Sequence, residues 1–163
     1  MAVQKADMFD GKAHDNVASV ILFGNGSDAV IEGDIAALDL SVSTQGLGNH
    51  VKQGTAALGA LACGIFTEGK TAAEAARGVL VQVRGARKNC NVAATTAAGS
   101  IIANGGTAGR GVALESLAPA GNTYNTATTQ TYMKLQSVGV SLTVADGDHH
   151  ATVRLLDPLQ LAE

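Results

Sequence analysis

Apolar residues recur at every second position along much of this chain. In Ser137-Val138-Gly139-Val140-Ser141-Leu142-Thr143-Val144 they alternate with small or polar residues, the period of a half-buried strand. The turn Asp146-Gly147-Asp148 and the run Thr152-Val153-Arg154-Leu155-Leu156 follow, so a hairpin is expected near the C-terminus. Val79, Val81 and Val83 alternate with Leu80, Gln82 and Arg84, bounded by Gly78 and Gly85. Further strands are predicted over 17–23, 35–42, 58–66, 91–94, 100–103 and 111–114. Turn signals separate them: Gly24-Asn25-Gly26-Ser27-Asp28, Glu68-Gly69-Lys70, Asn104-Gly105-Gly106 and Ala108-Gly109. Many short strands between such turns predict an all-β fold, a compact β-barrel or sandwich.

At most one short helix fits this scheme. Thr71-Ala72-Ala73-Glu74-Ala75-Ala76-Arg77 places Thr71 as a cap and Glu74 three residues later, a capping-box pattern; an extended crossing loop fits the same residues. Residues 1–16 show little periodicity and read as an N-terminal arm. Residues 17–163 then form a single β domain with a long Thr- and Asn-rich loop at 118–131, a length that is usually functional or mobile. One faint repeat is visible. Ile31-Glu32-Gly33-Asp34-Ile35-Ala36-Ala37 and Ala97-Ala98-Gly99-Ser100-Ile101-Ile102-Ala103 both read as a turn opening a strand.

Composition narrows the function classes. Of 163 residues 20 are glycine, 3% are aromatic and 15% are charged, against roughly 25% charged in soluble domains. The core must therefore be built from Ala, Val, Leu and Ile. A hydrophobic content of 46% with a net charge of −3 excludes a disordered chain, and the glycines keep no collagen period. No apolar run approaches the ~18 residues of a membrane span, and the polar start has no apolar h-region, so no secretory signal is expected. Eleven basic against fourteen acidic residues leave no general footprint for nucleic acid. Arg84-Gly85-Ala86-Arg87-Lys88 is short, has no aromatic beside it, and reads as a solvated strand end. So few charges cannot cover a monomer generously, which points to surface covered by other subunits.

Three motifs invite chemistry. Gly64-Ile65-Phe66-Thr67-Glu68-Gly69-Lys70-Thr71 fits the phosphate loop G-x-x-x-x-G-K-[ST], in which backbone N–H groups cradle phosphates. Ile65 and Phe66 continue the preceding strand pattern better, however, and no clear strand ending in Asp follows to hold magnesium. Asp146-Gly147-Asp148-His149-His150 gathers two carboxylates and two imidazoles, but adjacent residues of a strand point to opposite faces, and an exposed hairpin tip explains the same composition. His14 and His50 have no ligand-spaced partner. Cys63 and Cys90 form no C-x-x-C and read as small apolar residues. Asn25-Gly26-Ser27 matches a glycosylation acceptor, which has no meaning without export. Nothing here argues for an enzyme, a cofactor or a metal.

From Leu58 to Leu114 the chain resembles the capsid cement, or head decoration, proteins of tailed bacteriophages. The resemblance rests on Leu61-Ala62-Cys63-Gly64-Ile65, the Ala-rich segment 71–77, Val79-Leu80-Val81-Gln82-Val83-Arg84-Gly85, Ala98-Gly99-Ser100-Ile101-Ile102 and the Gly-Arg-Gly-Val-Ala return at 109–113. Val153-Arg154-Leu155-Leu156 is similar to their closing strand. Roughly half of the chain is covered; the region before Leu58 and residues 118–131 are not clearly matched. The resemblance implies a homotrimer on the outer surface of the virion capsid, made in the host cytoplasm, clamping neighbouring major capsid protein subunits without cofactor or catalysis. Met8 and Phe9 in the arm and Tyr124 and Tyr132 at the loop are the candidate anchors, with ordinary packing as the alternative. A tail-tube or fibre component, a small nucleotide-binding protein using residues 64–71, and a cellular β-barrel binding module remain as rival readings.

Overall fold

The computed structural model describes residues 17–39, 49–55, 61–105, 107–114 and 137–155. Strands dominate it, with one short helix and a closed five-stranded β-barrel carrying additional strands. In chain order the elements are β1 (Ala18–Gly24), β2 (Ile35–Leu38), β3 (His50–Gln53), β4 (Ala62–Phe66), α1 (Ala72–Ala75), β5 (Val79–Asn91), β6 (Ile101–Asn104), β7 (Gly111–Ala113), β8 (Ser137–Ser141) and β9 (His150–Leu155). The strand order is β1-β3-β2-β4-β5-β9-β8-β6-β7, and a further β1–β5 pairing closes the first five into the barrel. Only β1–β3 is parallel in that barrel.

β5 is the longest strand and serves two sheets. Its first part pairs with β1 as far as Ala18↔Arg84, and from Gly85↔Leu155 onward it pairs with β9. The change of partner coincides with Gly85, whose φ of 88° suits glycine alone without strain. The expectation that Arg84–Lys88 ends a strand is therefore corrected, since these residues lie in the middle of β5. A second strand over 91–94 is corrected likewise. β5 runs through Asn91, Val92 makes only an isolated bridge to Gly111, and the chain then turns, with the Thr96 N–H donating to the Ala93 carbonyl. That bridge, with Ala93 N–H donating to the Gly111 carbonyl at 2.7 Å, brings the far edge of the second sheet back to the continuation of β5.

β2 and β4 separate two cores. On one side Ala36 and Phe66 join Val30, Val51, Val79 and Val81; on the other Ile35 and Ile65 join Ile102, Val138 and Val153. Successive residues of a strand point to opposite faces, so a strand between two apolar layers must be apolar on both. That is why Ile35-Ala36-Ala37 and Gly64-Ile65-Phe66 are buried without alternation. Each fully buried Ile or Phe contributes about 1.5–3 kcal/mol of transfer free energy. The Ala- and Gly-rich composition lets the layers approach closely. A Cβ on Gly64 or Gly139 would run into the backbone of the adjacent strand, at Gln82 and Arg154 respectively.

The faint repeat is a real repeated turn. Gly33 has φ 87° and Gly99 φ 86°; Asp34 N–H donates to the Ile31 carbonyl and Ser100 N–H to the Ala97 carbonyl. The strand after each begins two residues past the glycine. The expected C-terminal hairpin is also present as β8–β9, although β8 stops at Ser141.

A buried carboxylate sits where β2 begins. Asp34 accepts a hydrogen bond from Gln53 Nε2 at 2.6 Å and another from Asn91 Nδ2. Beside it Ile35 N–H donates to the Gly109 carbonyl, and Gly109 N–H donates to the Gly54 carbonyl. The Asp34 side chain thus ties the start of β2 to β3 and β5, and the neighbouring backbone bonds tie it to the turn before β7. Burial raises the Asp34 carboxyl above its ordinary value, against the lowering influence of Asn91, Gln53 and the Arg110 charge.

Candidate interaction surface

β1 departs from the rule that a barrel strand hides one face. Val20, Ile21 and Phe23 are all exposed, and Ile21 is 69% exposed. The run Val20-Ile21-Leu22-Phe23 is apolar without alternation, so both faces are apolar whichever way the strand is set. Leu22 packs on the barrel core, while Ile21 lies opposite Leu80, which is itself exposed. Phe23 leans on His50 with ring centroids 6.1 Å apart. Ile21, Phe23 and Leu80 therefore make one apolar outer face.

The backbone of β1 is, among the described residues, paired along its length on one side only. Among the described residues β3 pairs only with Phe23 and Gly24, and residues 18–22 are paired on their β5 side alone. Unpaired N–H and C=O groups on an apolar strand form a template for another chain. The adjoining turn is rigid. Asn25 Oδ1 accepts from the Ser27 and Asp28 N–H groups, and its amide donates to Asp28. At the other end of the patch Leu80 N–H donates to Glu68 Oε1, and Lys70 pairs with Glu68 at 2.7 Å.

The phosphate-loop match does not fold as a phosphate cradle. Its first three residues belong to β4. The N–H groups of Phe66, Thr67 and Lys70 donate to the carbonyls of Asp34, Leu80 and Val30, and that of Thr71 donates to Glu74 Oε2. Lys70 Nζ donates to the Gly78 carbonyl. Thr71 caps α1 in a complete capping box with Glu74, as the residue pattern predicts. Four of the N–H donors that would bind phosphate are thus engaged within the fold.

At the hairpin tip, Asp146 Oδ1 accepts the N–H groups of Asp148 and His150, and the His150 bond foremost holds this carboxyl below its usual range. The segment acts as a turn-forming device. Among the described residues no group of three or more His, Cys, Asp or Glu side chains could hold a metal ion. Cys63 and Cys90 are free thiols, both pushed up to about 12 by burial, which removes the thiolate that nucleophilic chemistry needs.

The candidate anchors Met8, Phe9, Tyr124 and Tyr132 lie outside the described residues, as does His14. Among the described residues the exposed apolar surface involves β1 and β5. Its signal in the sequence was the unbroken apolar run 20–23, which a search for alternation takes simply as a strand. Compared with protein-family models and with curated proteins, the chain matches none.

Proposed function

We propose that the protein is a structural component of a phage virion, a decoration protein that binds the outside of an assembled capsid as a trimer and stabilises contacts between major capsid protein subunits. The exposed apolar face of β1 on a chain of 15% charged residues carries this reading. Such a surface favours the assembled state, because burying it removes apolar area from water. The resemblance over residues 58–114 supplies the kind of assembly, and the all-β fold agrees with it. A ligand that binds only the assembled shell stabilises that shell by mass action. The internally engaged donors of residues 64–71 disfavour the nucleotide-binding alternative.

Addition of the purified protein to bare capsids tests the proposal. Co-sedimentation and a rise in the temperature at which DNA is released are expected. Absence of binding together with an unchanged release temperature would refute it.

A further inference from the structure

Where the parallel pairing of the barrel ends, an amine, a carboxamide and a buried carboxylate come together. β1 and β3 pair at Phe23↔His50 and Gly24↔Val51, and the next residues in that register are Asn25 and Lys52. Asp39, 4% exposed, bridges them. Its Oδ1 accepts from Lys52 Nζ and its Oδ2 from Asn25 Nδ2, each at 3.3 Å. Asn25 Oδ1 accepts the N–H groups of Ser27 and Asp28, both at 3.0 Å, and Asn25 Nδ2 also donates to Asp28 Oδ2 at 2.7 Å. An ion pair accounts for Lys52 and Asp39 alone. The carboxamide on the other oxygen, with its own oxygen held by two backbone donors, completes the parts of an acyl-transfer site: a nucleophile, a proton carrier and an oxyanion hole.

We propose that Lys52 and Asn25 join in an intramolecular isopeptide bond, with Asp39 carrying the proton. Asp39 Oδ1 takes a proton from the Lys52 ammonium, and the neutral Nζ attacks Asn25 Cγ. Holding both groups on one carboxylate makes the step intramolecular. Negative charge develops on Asn25 Oδ1, where the Ser27 and Asp28 N–H groups already point. Collapse breaks the Cγ–Nδ2 bond as Asp39 hands its proton to Nδ2, which departs as ammonia. The proton that Nζ sheds on becoming an amide converts the ammonia to ammonium, so the lysine charge leaves with it; nothing is oxidised or reduced. The product fastens β1 to β3, which pair at two positions among the described residues, and restricts the unfolded chain as a disulfide does.

Intact-mass spectrometry of the full chain, fresh and after incubation in neutral buffer, tests this. The mass should fall by that of one ammonia, and peptide mapping should give a branched peptide joining residues 25 and 52, uncut by trypsin after Lys52. Incubation in denaturing urea should leave the mass unchanged, because the fold supplies the geometry. Lys52→Arg keeps a cation on Asp39 and should show the full mass of its sequence. Asp39→Ala, checked for folding by circular dichroism, should link about 100-fold more slowly or worse. A folded wild type that keeps its full mass throughout overturns the proposal. Loss of water instead of ammonia would mark a Lys52–Asp39 bond, and exchange of ammonia for water at Asn25 would mark simple deamidation; both overturn it. Linking of Asp39→Ala at the wild-type rate would overturn the role given to Asp39.

Discussion

Two glycines with nearly the same φ are set apart by their surroundings. At Gly33 a methyl would run into the Asn89 carbonyl oxygen, whereas at Gly99 it would meet open space. Both sit in the left-handed region, where an L-residue costs about 1–2 kcal/mol. Gly99→Ala should therefore lower stability by about 1–2 kcal/mol, and Gly33→Ala by clearly more, because the turn must shift to relieve the clash. Urea midpoints with unchanged slopes measure this order; equal losses would contradict it. The motif around each glycine was legible in the sequence as a turn before a strand. What a local repeat does not carry is which turn has another strand pressed against it.

Among elements, the turn into β2 carries a buried carboxyl beside the apolar packing of Ile35 and Ala36. The folded Asp34 carboxyl titrates above its ordinary value. Between those two values the folded chain therefore holds a proton that the unfolded chain has released, and stability falls as pH rises through that window. Glu68 and Asp146, whose carboxyls are held low, act in the opposite sense, so variant and wild type must be compared at each pH. Relative to Asp34→Asn, the wild type should gain stability as pH falls from neutral through the window; a flat difference would remove Asp34 from the account. Strands with alternating residues, such as β8 and β9, were readable in advance, and so was the capping box of Thr71 and Glu74. His50–Gln53 was not, because a four-residue strand containing Lys and Gln presents no clear period. The length of β5 was hidden for another reason: Gly85, read as a boundary, is the point at which one strand changes partners.

For the molecule as a whole, two cores share the wall formed by β2 and β4, and two sheets share β5. A defect on one side should then be felt on the other. Phe66→Leu, confined to the barrel core, should destabilise by roughly 1–2 kcal/mol. Amide exchange should show the same loss of protection at Val81 in the barrel and at Val153 in the second sheet. Loss confined to the barrel amides would mean that the two sheets open separately. The candidate interaction surface was the least legible feature: the apolar run 20–23 marks both faces of β1 as apolar, but which residue stays exposed depends on what fails to pack on it. The shared strand has one more consequence, at the level of the gene. A crossover between related sequences within codons 79–91 would leave the barrel pairings of β5 with one parent and its β9 pairings with the other, joined in a single strand.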